Sequence, residues 1–178
     1  MSFRWVGRRF VPARNPCKRA ALALSLLALA GCGGSSAPAA KLVHDDGFSF
    51  SAPGDWAVAR SARSVQVSDG VKLVSVTRYP LLRSYRPALW ARVVPELDRA
   101  ATQLAQQQHG TVGNAQTVTI AGQPARRYDI DYERDGKQLV ERLAFVLRGK
   151  TEYLLLCRYE RGGDTAACDR LLATFALG

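Results

Sequence analysis

Histidine, methionine and long apolar runs are scarce in this chain of 178 residues, which has two His and one Met. No uninterrupted apolar stretch is long enough to cross a bilayer, so a transmembrane helix is excluded. There is no C-x-x-C, no H-E-x-x-H and no G-x-S-x-G, so nothing points to a zinc hydrolase, a thioredoxin-like centre or a nucleophile elbow. An apolar content of 47% with 22% charged residues is unlike disordered or collagen-like chains. The formal charge of +10 suggests a polyanion partner until its distribution is read. Arg4, Arg8, Arg9, Arg14, Lys18 and Arg19 all precede Cys32. From Cys32 onward 19 basic residues face 15 acidic ones, an ordinary solvated surface with no nucleic-acid footprint.

What is present at the N-terminus is an export signal. A basic region runs to Arg19, an apolar stretch follows from Ala20 to Ala30, and Leu29-Ala30-Gly31-Cys32 closes it. Those four residues resemble the lipobox of bacterial lipoproteins. The resemblance implies that Cys32 is lipidated, that residues 1–31 are removed as a signal peptide, and that acyl chains such as palmitate hold the protein on the extracytoplasmic face of the cell membrane. Arg8-Arg9-Phe10-Val11 leaves both the general and the twin-arginine export routes open. Residues 32–40 form the lipidated Cys and a flexible linker. Residues 41–178 form a single domain held near the lipid surface, in the periplasm or at the cell surface.

Of four Cys, Cys17 leaves with the signal and Cys32 goes to lipid. Outside the cytoplasmic membrane the two that remain are expected to pair, so a Cys157–Cys168 disulfide should clip the last helix to the sheet.

From Lys41 the pattern is one of short strands and turns. Phe48 and Phe50 alternate with Ser49 and Ser51, and Pro53-Gly54-Asp55 turns the chain into Trp56-Ala57-Val58. Hairpins are expected around Asp69-Gly70 and Asp135-Gly136, and another arm follows Gly149-Lys150. A long helix is expected to start at Pro95, or to begin earlier and kink there, and to end before Gly110, with Val94, Leu97, Ala101 and Leu104 inward. A second helix spans about 165–175, with Asp164 as its cap. Strands, helix, strands, helix predict an α+β fold: a mainly antiparallel β-sheet covered by helices, one long mid-chain helix and one C-terminal helix.

Phe48-Ser-Phe50-Ser-Ala-Pro53-Gly-Asp-Trp56 and the Ile120-Ala-Gly122-Gln-Pro-Ala125 turn, in this element order, resemble the PsbP-like group, which includes DcrB-type bacterial envelope lipoproteins. The resemblance covers about 47–177 and implies a PsbP-like sandwich, with non-enzymatic binding or assembly roles and no catalytic residues to transfer.

Chemistry-bearing residues are few. Ala144 to Thr151 matches a relaxed phosphate-loop spacing, but strand patterns on both sides make it a hairpin tip. Asp129, Asp131 and Glu133 alternate with Tyr128, Ile130 and Tyr132, so the acids form a wet face with Arg127, Arg142 and Arg158 as partners. His44 fits a solvated turn and His109 a helix C-terminus. No catalytic residue, metal or cofactor is expected. The candidate binding residues are Arg83, Tyr85 and Arg86, within a segment of interleaved Arg and aromatic residues that reads as a loop. The opposing reading folds Leu81, Leu82 and Trp90 inward and leaves the Arg heads in water. The expectation is a non-catalytic, lipid-anchored envelope domain that binds an envelope protein. The alternative is a carrier or sensor of a small amphiphile, a lipid or glycolipid, in a sheet-helix cavity.

Overall fold

Alternating apolar and polar residues around two-residue turns make this chain strand-rich, and the computed structural model describes residues 39–178. The signal, Cys32 and most of the linker lie outside the described residues. β1 (Ala40–Asp45) and β2 (Phe48–Pro53) form a hairpin that pairs with the short β9 (Ala176–Leu177) in a three-stranded antiparallel sheet. The larger antiparallel sheet runs β3-β4-β5-β8-β7-β6, from β3 (Ala57–Arg60), β4 (Ser64–Asp69), β5 (Lys72–Tyr85), β6 (Thr111–Ile120), β7 (Gln123–Arg134) and β8 (Lys137–Glu160). Between β5 and β6 lie a 3-10 turn at Pro87–Leu89 and α1 (Trp90–Gln107), and α2 (Ala166–Thr174) precedes β9.

β8 is 24 residues of extended chain. Drawn straight, at about 3.3 Å per residue, its ends would stand roughly 75 Å apart. Instead Lys137 Nζ lies 2.6 Å from Glu160 Oε1, the Arg161 N–H donates to the Gln138 carbonyl at 2.9 Å, and Arg158 stands 3.6 Å from Glu141. β8 is therefore a hairpin bent at Gly149-Lys150, as the turn residues predict. Its first arm pairs with β7 and its second with β5. Gly149 has φ +55°, the left-handed value required at the first position of such a turn. The β4–β5 turn is similar: Asp69 pairs with Lys72, so the loop is Gly70-Val71, one residue beyond the expected Asp69-Gly70, because Gly70 takes the positive φ alone.

Both faces of the large sheet are covered. One face packs Val65, Val67, Val74, Val76 and Leu155 against Phe48 and Phe50 of the small sheet and Leu171 of α2. The other packs Tyr128, Ile130, Leu143, Phe145 and Leu154 against Leu97, Ala101 and Ala105 of α1. Burying a side chain the size of Phe50 contributes about 2–3 kcal/mol, so these layers hold the fold.

The structure corrects the fold class and the end of the last helix, and decides between the two starts expected for the long one. The α+β sandwich of a sheet covered by helices is overturned: the fold is 60% strand and 22% helical, and on one face a second antiparallel sheet shares the cover with α2. The long helix begins at Trp90, five residues before Pro95, which sits inside it on the exposed side where a missing N–H costs least. The final helix stops at Thr174, and Phe175 turns extended to lead into β9.

Candidate functional site

The segment expected to be a binding loop is mostly strand. β5 continues to Tyr85, with a register shift between Pro80, which pairs with Thr151, and Tyr85, which pairs with Gly149. Extra residues in one strand force a local bulge, and this one throws Leu82 into solvent at 91% exposure. Arg83 and Arg86 follow it in the chain, both exposed and without an ion pair among the described residues. Tyr85 does the opposite. It is only 7% exposed, packs in the α1-facing core, and its buried hydroxyl has no hydrogen-bond partner. The three candidate residues thus divide: Arg83 and Arg86 are exposed, as is the neighbouring Leu82, while Tyr85 is a core residue whose burial pushes its phenol pKa up. Leu81 and Trp90 fold inward as the opposing reading had it, and Leu82 does not.

Cys157 and Cys168 are bridged, with Cα atoms 5.4 Å apart, joining the second arm of β8 to α2. Cys32 lies outside the described residues. His44 is exposed on β1, its carbonyl accepting from Arg60, and His109 ends α1 in a left-handed conformation. The acidic row is engaged: Asp129 meets Arg142 at 2.8 Å, Asp131 meets Arg161 at 2.7 Å, and Glu133 accepts from Gln138. Of the three arginines expected there, Arg142 fills the role, Arg127 donates to Gln116, and Arg158 points to the other face.

That other face carries what sequence reasoning missed. Glu141, 5% exposed beneath the end of α1, accepts from Tyr132 at 2.9 Å and Gln108 at 2.8 Å, and faces Arg158. Burial, then the Glu141 charge, push the Tyr132 phenol up to about 12. Nearer the start of α1, Asp98 accepts from Arg126 at 3.0 Å and from the Tyr128 hydroxyl at 2.5 Å. Burial pushes the Asp98 carboxyl up, but those two hydrogen bonds and the Arg126 charge outweigh it and hold the pKa below the usual value. Both groups are ties between α1 and the sheet. Only the period of β7, which places Arg126, Tyr128 and Tyr132 on one face, hinted at them.

No protein-family model and no curated protein matches the chain. Among solved structures, a protein of Bacteroides thetaiotaomicron is similar with a TM-score of 0.57 and 14% identity, covering 80% of this chain and 49% of its own. The likeness is one of fold. The chain spans about half the length of that protein. LpqN of Mycobacterium tuberculosis, a protein involved in cell envelope biogenesis, is 13% identical over 78% of this chain and 90% of its own, with a TM-score of 0.44. PA94 of Pseudomonas aeruginosa, of unknown function, is 16% identical over 67% and 81%, with a TM-score of 0.38. At those scores the last two carry no argument about this chain. The PsbP-like resemblance rests on its own short motifs.

Proposed function

We propose that this protein is a non-catalytic, lipid-anchored domain of the bacterial cell envelope that captures an envelope protein through the β5 bulge. The observation that carries this reading is Leu82, exposed on the β5 bulge and followed in the chain by two exposed arginines outside any ion pair among the described residues. An apolar side chain with neighbouring guanidinium groups suits a protein surface that offers an apolar pocket rimmed by carboxylates. The anchor at Cys32 and the export signal come from the sequence motif, and the roles of the PsbP-like group it resembles agree with binding in place of catalysis. The carrier alternative has less support, because the space between α1 and the sheet is occupied by Leu97, Ala101, Ala105, Tyr128 and Phe145.

The test is a photo-crosslinking residue at position 82 in the native host, compared with one at the exposed Ala59 on the β3 edge of the sheet. A discrete protein adduct at 82 alone, reduced at least tenfold by R83S/R86S with an unchanged melting temperature, is expected. Equal labelling at both positions, or an adduct indifferent to R83S/R86S, would remove the ridge as the binding surface. Cys32→Ala should shift the protein from the membrane to the soluble fraction, and persistent membrane association would remove the anchor.

A further inference from the structure

Beside the bulge, a solvent-open cleft of about 420 Å³ lies between the β1–β2 turn, the start of β4, β5 and the β8 turn. Its cations come from three elements: Arg63 before β4, Arg78 on β5 and Lys150 at the β8 turn. Strand pairing brings them together, since the Arg78 N–H donates to the Arg63 carbonyl at 2.8 Å and Pro80 pairs with Thr151. One carboxylate, Asp46, also lines the cleft and is already engaged, its Oδ2 2.7 Å from Arg78 Nη1. The same nitrogen donates to the Asp46 carbonyl, whereas Arg78 Nε is buried without an acceptor. Arg63 and Lys150 make no ion pair with any described residue, and both are exposed. Three cations against one carboxylate leave the lining with two positive charges in excess. Thr151 and Tyr153 add hydroxyls, the latter donating to the Gly47 carbonyl at 3.3 Å.

We infer that this cleft is a phosphoryl-anion site that takes a phosphomonoester carrying an organic group. A dianion matches the surplus charge, which a single carboxylate would leave half unbalanced. Guanidinium groups give forked donors to phosphate oxygens, and an ammonium supplies a point charge to the same group. The cleft is several times larger than the space a phosphate needs, and falls in the range of small-molecule pockets, so the phosphate has room for its substituent. The inference does not depend on the β5 ridge as a protein-binding surface, because it rests on different side chains.

The experiment is calorimetric titration of the full chain in neutral detergent with glycerol phosphate, with sodium acetate at equal ionic strength as the control. Saturable binding of glycerol phosphate is expected, with none of acetate. R63A/K150A should weaken it at least tenfold without lowering the melting temperature, since both side chains are exposed and outside any ion pair among the described residues. R83S/R86S should leave it within about twofold. Dihexanoyl phosphatidic acid separates the two sources of the phosphate: binding tighter than glycerol phosphate identifies a lipid headgroup, and equal binding a free phosphomonoester. No saturable binding, an equal response to acetate, or binding indifferent to R63A/K150A would overturn the inference. Loss on R83S/R86S equal to that on R63A/K150A would also overturn it, because a diffuse charge effect would then explain both.

Discussion

The two faces of the large sheet solve the same packing problem differently. On the α2 face, β-branched residues and rings fill the space: Val65, Val67, Val74 and Val76 lie under Phe48 and Phe50, and Tyr153 meets Phe175 at 5.7 Å between ring centres. A disulfide fixes the helix there, and Arg142 closes the rim against Asp129 and Asp169. On the α1 face Leu97, Ala101 and Ala105 of the helix cover Tyr128, Ile130, Leu143 and Phe145 of the sheet. Orientation there is set by hydrogen bonds to charged groups, Asp98 to Tyr128 and Arg126, and Glu141 to Tyr132 and Gln108. Both faces are filled by apolar side chains; one adds a covalent bridge, the other directed polar ties. Redox conditions should therefore act on α2 and the loss of single carboxylates on α1.

The largest effect should come from the apolar packing of the α2 face. Phe50, fully buried and stacked with Phe48, should cost about 4 kcal/mol when replaced by Ala, measured by urea unfolding. On the α1 face, Glu141→Ala leaves Tyr132 and Gln108 without their acceptor and Arg158 without its ion-pair partner, and should cost about 3 kcal/mol, with hydrogen-exchange protection lost first in α1. E141L/R158M should recover most of that loss; if it does not, the polar ties supply stability beyond satisfying one another. Breaking Cys157–Cys168, which closes a loop of 11 residues separation, should cost roughly 2–3 kcal/mol. Exchange should then rise in α2 and stay unchanged in α1; equal loosening of both helices would erase the contrast between the faces.

The smallest effect is a pH dependence. Desolvation lifts Glu152, half-buried on the α1 side of β8, from 4.5 to about 7. The folded chain therefore holds this proton more tightly than the unfolded one, so the associated stability is full below pH 4.5 and is lost as pH rises toward 7. Allowing for partial solvent access, Glu152→Gln should stabilise by about 1 kcal/mol at pH 8 and leave stability unchanged at pH 4, read from melting curves at the two pH values. A variant equally stabilised at both would locate the effect elsewhere.

Much of the fold was legible. The Asp135-Gly136 and Gly149-Lys150 turns announced their hairpins, the Leu97 and Ala101 spacing announced a helix, and Cys arithmetic announced the bridge. What was misread has physical causes. Pro95 looked like a helix start because proline favours a first turn, yet on the solvent side of an established helix its lost bond is tolerated. Residues 80–86 read as a loop because Pro and Arg interrupt the alternation, and a bulge accommodates such an interruption without ending the strand. β1 and β9 gave weak signals because both lie on the small sheet, where β9 has two residues and Leu42 stays exposed. The cleft was invisible because Arg63, Arg78 and Lys150 are far apart in the chain.

By itself the sequence determined the compartment-related motifs, the strand-rich period, the turns and the disulfide partners, because each depends on residues within a few positions of one another or on counting. Only the tertiary structure decided which face each strand residue meets, that Tyr85 is core while Leu82 is surface, and that three cations from separate elements line one cleft. Those outcomes depend on strand order and register, which long-range packing selects and no local pattern encodes.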